Sequence, residues 1–159
     1  MKNINISNLR KQEDLELIAT EYAAYYRHSI LEEKWTKETA INLFKYFYSQ
    51  ASDLFFVAYD KDKPVGVIMT CLKPWWDGMH LEDAEVFVCK EYQHRGIAKK
   101  LFKKLFEYAI EKYNATTLEA HTYEDENGFP YCWYKRLGYE TIDNWKIISG
   151  DIKKIVNKL

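Results

Sequence analysis

Apolar and polar positions alternate or recur along this chain in a pattern that spells out its elements in order. Ile4 to Leu9 reads as a first short strand, and Lys11-Gln12-Glu13-Asp14 opens a helix to about Tyr26 with Leu15, Ile18, Ala19, Tyr22 and Tyr26 as its apolar stripe. Thr36 is placed to cap a second helix from Lys37 to Ser49, in which Ile41, Leu43, Phe44 and Phe47 keep helical spacing and Thr39 supplies no capping box. Leu54 to Tyr59 is apolar on both faces and reads as a central strand. A polar turn at Asp60 to Lys63 joins it to a partner strand from Pro64 to Cys71, and Lys73 to Met79 reads as a turn by its proline and glycine.

The stretch from Leu81 to Tyr113 organises the rest. In its strand Ala84, Val86 and Val88 point to one face and Glu85 and Phe87 to the other, which by the same alternation sets Glu85 opposite Glu82. In its helix Ile97, Leu101, Phe102, Leu105, Phe106, Ala109, Ile110 and Tyr113 form the stripe, with paired lysines at 99, 100, 103 and 104 on most of the remaining face. Then come a strand from Thr116 to His121, an acidic loop, a short helix over residues 129–137 with Pro130 in its first turn and Gly138 as its stop, and a strand from Tyr139 to Ile142. Trp145 to Ile148 and Asp151 to Val156 complete one bulged strand or a small hairpin. The expected fold is α/β: a mixed sheet with helices on both faces.

The 159 residues suit a single domain spanning the whole chain. A net charge of −1 argues against a general attraction to nucleic acid, and no apolar run is long enough to cross a bilayer, so a cytoplasmic protein without a membrane anchor is expected. Cys71, Cys89 and Cys132 are an odd number without metal spacing, and the four histidines are scattered, so free thiols and no metal site are expected. The aromatic content is high: thirteen Tyr, eight Phe and five Trp. Tyr22, Tyr25, Tyr26 and His28 crowd one helix end as a wall of a substrate site or as packing; Glu32 and Glu33 in the next loop are surface carboxylates able to attract a cation. Trp75, Trp76 and Trp145 bound a groove or a homodimer contact.

Gln93-His94-Arg95-Gly96-Ile97-Ala98 sits where the organising strand gives way to its helix. A helix N terminus carries unpaired amide hydrogens and the positive end of the backbone dipole, so a turn laid there holds a phosphate or simply connects two elements. The motif resembles the acyl-CoA pyrophosphate turn of the GCN5-related N-acetyltransferase (GNAT) superfamily, Gln/Arg-x-x-Gly-x-Gly/Ala. Trp133-Tyr134-Lys135-Arg136-Leu137-Gly138-Tyr139 resembles the same superfamily's aromatic-Tyr-x-x-x-Gly-aromatic segment, and Asn127 stands where members often place a pantetheine-contacting asparagine.

The resemblance implies a mostly antiparallel GNAT-type sheet and an acyl-CoA N-acyltransferase that moves acetyl from acetyl-CoA to a primary amine by direct attack. The acceptor would be a small amine, an aminoglycoside-like polyamine or a peptide amine, and carboxylates in the cleft favour a cationic one. Cofactor contacts would come from Val86, Phe87, Val88, Gln93, His94, Arg95, Gly96, Ile97, Ala98, Lys99, Asn127 and Tyr134, with the Val88 amide polarising the thioester carbonyl. Tyr134 would protonate the departing thiolate, and Glu82, Glu85 or Glu119 would take the amine proton. The alternative is a non-catalytic CoA-binding or interaction module of the same fold. A P-loop nucleotide enzyme is disfavoured because no Lys-Ser/Thr follows the glycine.

Overall fold

The computed structural model describes residues 4–27 and 33–156. His28 and Glu32 lie outside the described residues. The chain divides into two compact units, residues 1–121 and 122–159.

The first unit is built on a five-stranded sheet in the order β1 (Ile4–Asn8), β2 (Phe56–Asp60), β3 (Lys63–Trp75), β4 (Gly78–Val88), β5 (Ala115–Glu119). Every neighbouring pair is antiparallel except β4 and β5, which run parallel, as a strand entered through a crossover helix must. The apolar run expected of a central strand is one: Leu54 to Tyr59 are all buried. Helices α1 (Gln12–Tyr26) and α2 (Lys37–Gln50) lie on one face, where Tyr22 meets Phe87 at 5.5 Å. Helix α3 (Ile97–Tyr113) lies on the other, where Tyr108 meets Phe56 at 5.6 Å and a Cβ on Gly66 would touch Leu101. Of the stripe expected of α3, Ile97, Leu101, Phe102, Leu105 and Ala109 are buried and Phe106 and Tyr113 half-buried, whereas Ile110 is exposed, since it sits one position past the buried Ala109 and so turns off the apolar face.

Local signals differ from expectation in two places here. Thr39 does complete a capping box on α2: the Thr36 hydroxyl accepts from the Thr39 amide at 3.1 Å, and the Thr39 hydroxyl accepts from the Thr36 amide at 2.9 Å. A short hydroxyl serves where Glu or Gln is usual. The turn expected over Lys73 to Met79 shrinks to Trp76 and Asp77, because Lys73, Pro74 and Trp75 continue β3 and pair with His80, Met79 and Gly78.

A third difference bears on function. Met69 pairs with Glu85 and Cys71 with Glu82, so two steps on β3 face three on β4: β4 carries a bulge of one extra residue, with Asp83 at φ 53°. Met69 and Cys71 share a face, and residues opposite each other in a ladder share a face, so Glu82 and Glu85 stand on the same side of the sheet rather than on opposite sides. Simple alternation fails because the extra residue resets it.

The second unit holds α4 (Tyr131–Arg136) and α5 (Ile152–Val156). Gly138 stops α4 as expected, with φ 96°, in a Schellman arrangement: the Tyr139 amide donates to the Tyr134 carbonyl at 3.2 Å and the Gly138 amide to the Lys135 carbonyl at 3.1 Å. The strands expected over Tyr139 to Ile142 and Trp145 to Ile148 are not formed. Asp151 to Val156, expected as a strand, is instead a helical turn, because the Asp151 carboxylate accepts the Lys153 amide at 2.9 Å and its carbonyl the Ile155 amide at 3.0 Å.

Candidate active site

The cradle at the start of α3 is assembled by backbone. His94 and Gly96 both take positive φ, 60° and 74°, which turns the chain sharply into the helix. No side chain caps the N terminus and no acidic residue lies in the first turn, so the leading amides stay available to an anion. A Cβ on Gly96 would meet no atom within 4 Å, so glycine is required there by its backbone angle and not by crowding. His94, Arg95 and Lys99 are exposed around the turn, while Ile97 anchors it in the core. Gln93 reaches back instead of outward: its side-chain amide donates to the Val88 carbonyl at 3.0 Å, tying the turn to the end of β4.

Beside this turn β4 has an unshared edge. Its pairing with β5 ends at Glu82 opposite Glu119, whereas its pairing with β3 continues through Val88. Within this unit the stretch from Asp83 to Val88, including Val86 and Phe87, thus has a strand on one side only. Phe87 is buried among Tyr22, Tyr25 and Tyr26 on the α1 side, so its contribution to a ligand on this edge is backbone.

The candidate bases fall into distinct surroundings. Glu82 is ion-paired with Lys73, which also stacks over the Trp75 ring at 4.4 Å. Glu119 meets Nδ1 of the buried His80 at 3.1 Å, and Asp77 meets Nε2 of the same ring at 2.9 Å. Glu85 has no ion pair among the described residues. The Tyr22 hydroxyl donates to it at 3.4 Å, and burial pushes its carboxyl up to about 7, aided by Glu33 and Asp83 and opposed by the Tyr22 hydrogen bond. The buried Tyr22 phenol is pushed far above its ordinary range, chiefly by the same burial and by Glu85.

Tyr134 and Asn127 belong to the second unit. Tyr134 lies against the rings of Trp133 at 5.1 Å and Tyr139 at 5.3 Å. Asn127 is exposed in a turn whose backbone is set by Asp125, whose carboxylate accepts the amides of Asn127 and Phe129 at 2.9 and 2.8 Å. Sequence reasoning missed the Tyr22–Glu85 contact, which joins residues 63 positions apart. Among the described residues no helix is long and apolar enough to cross a membrane.

The model of the acetyltransferase (GNAT) family matches residues 15–139. The chain belongs to that family. An uncharacterized N-acetyltransferase of Methanocaldococcus jannaschii is 29% identical over 147 residues, covering 88% of this chain but only 62% of the relative's length. Among solved structures, a possible acetyltransferase of Clostridium difficile 630 superposes with a TM-score of 0.74 at 20% identity, over 93% of this chain and 97% of that one. The NatC complex bound to Gag peptide and CoA contains a chain that superposes with a TM-score of 0.63 at 22% identity, over 85% of this chain and 83% of that one. At these identities the two structures share the GNAT fold, and its mostly antiparallel sheet with helices on both faces is the architecture described above.

Proposed function

We propose that this GNAT protein transfers acetyl from acetyl-CoA to a primary amine within a ternary complex. The observation that carries the reading is the unshared edge of β4 from Asp83 to Val88, running into the bare N terminus of α3. The edge offers backbone donors and acceptors to a pantetheine arm, and the α3 amides, with Arg95 and Lys99 nearby, suit its pyrophosphate. CoA bound to the NatC structure, a fold neighbour, supports the same assignment.

Glu85 is the base. An amine is mostly protonated near neutral pH and attacks only after losing that proton, and a carboxyl raised to about 7 accepts it better than an ordinary one. Glu82 is held in an ion pair with Lys73 and Glu119 is engaged with His80, so neither is as available as Glu85 to take the proton. The freed amine attacks the thioester carbonyl, polarised by the Val88 amide, and the tetrahedral intermediate, after its nitrogen gives up its surplus proton to water, collapses to the amide with loss of CoA thiolate. Tyr134 is the proton donor to that thiolate, by its resemblance to the motif tyrosine.

Thiol release from acetyl-CoA, followed across a panel of polyamines, aminoglycosides, amino acids and peptides, tests this. Turnover with at least one amine, lost by roughly a hundredfold or more in Glu85→Gln and Tyr134→Phe with acetyl-CoA affinity retained, is expected. Tight CoA binding without thiol release from any acceptor would favour the non-catalytic module instead.

A further inference from the structure

The carboxylates of β4, β5 and the loop that leads into α2 are not equivalent. Glu82 has Lys73, Asp83 has His121 at 3.2 Å, and Glu119 has His80. Glu85 and Glu33, both partly buried, have no ion-pair partner among the described residues. A continuous run of contacts links them: Glu85 accepts from the Tyr22 hydroxyl, the Tyr22 ring meets Trp35 edge-on at 5.4 Å, and the Trp35 indole N–H donates to Glu33 at 2.8 Å. Tyr26 lies tilted against Tyr22, with ring centroids 4.5 Å apart, and extends the aromatic wall. Two carboxylates in one partly desolvated, aromatic-lined place repel each other, and the repulsion persists until cations are supplied. An ammonium is stabilised both by carboxylate oxygens and by aromatic faces, and a methylene chain packs on the same rings.

We propose that Glu33 and Trp35 form a second cation subsite, which makes the acceptor a linear aliphatic diamine or longer polyamine. One nitrogen is delivered to Glu85 for acetylation, and the distal ammonium is held by Glu33 against Trp35. This rests on the reading of Glu85 as the base and adds a recognition element to it. Two carboxylates without a cation among the described residues, joined by aromatic rings, match two positive nitrogens joined by methylenes; a monoamine satisfies only one of them.

Thiol-release kinetics with butylamine, diaminobutane and diaminohexane on the full chain test it, alongside calorimetric titration of the same amines. The wild type should prefer the better-fitting diamine over butylamine in kcat/KM by at least about tenfold, the size of one charge-assisted hydrogen bond. In Glu33→Gln that ratio should fall to near one at unchanged melting temperature, and Trp35→Phe should lower it partly. Equal kcat/KM for monoamine and diamines in the wild type, or a ratio retained in Glu33→Gln, would overturn the subsite while leaving acetyl transfer intact. If no amine is acetylated, the catalytic reading fails and the titration decides the subsite: diamine binding weakened tenfold in Glu33→Gln supports it, and equal affinity refutes it.

Discussion

At the residue scale, Glu85 sets two pH dependences of opposite consequence. In the proposed role of base it must be ionised, so kcat/KM should rise with pH through about 7. For stability the same shift is a cost. The folded state holds the Glu85 proton more tightly than the unfolded chain, so the penalty is absent below the ordinary value of 4.5, grows as pH rises, and is complete above about 7. Glu85→Gln should therefore melt higher than wild type at pH 8, by about 1–2 kcal/mol after allowance for solvent at the carboxyl, and about equally at pH 4. A melting temperature no higher at pH 8 would contradict it. Tyr22→Phe provides a companion measurement. Its hydroxyl favours the ionised carboxyl, so removing it should move the rise in kcat/KM to higher pH.

At the element scale, the two ends of α2 and α3 predict different outcomes from similar edits. Thr36→Ala removes the hydroxyl that accepts the Thr39 amide, leaving only the Thr36 amide's bond to the Thr39 hydroxyl, and should cost about 1 kcal/mol in chemical denaturation, with no effect on acetyl-CoA affinity. Gly96→Ala forces a side chain into left-handed backbone, a strain of about 1 kcal/mol, and should also weaken acetyl-CoA binding in a titration because the leading amides of α3 are re-aimed. Much of this level was legible in the chain. The stripe from Ile97 to Ala109 and the turn from Gln93 to Ala98 are local patterns, and local geometry follows from them. The Asp83 bulge was not legible, since an aspartate inside an apolar strand carries no mark distinguishing an extra residue from an ordinary exposed one. The segment after Gly138 was misread for a related reason: apolar alternation at Trp145 to Ile148 proposes a strand only if a neighbouring edge takes it up, and Asp151 favours a local turn.

At the scale of the whole molecule, the architecture was readable because each element's period agreed with its neighbours' lengths. The partnership between Tyr22 and Glu85 was not, because tertiary proximity over 63 positions leaves no trace in spacing. Donor binding should report on the fold globally. Acetyl-CoA at a hundred times its Kd should stabilise the chain by roughly 2.7 kcal/mol, with a melting temperature that climbs with ligand concentration; a flat response would contradict the cradle. The single extra residue at Asp83 also works as a parity switch. A strand gives each face every second residue, and one extra residue reverses that assignment from there on. Deleting Asp83 should therefore part Glu82 from Glu85, sending them to opposite faces of the sheet.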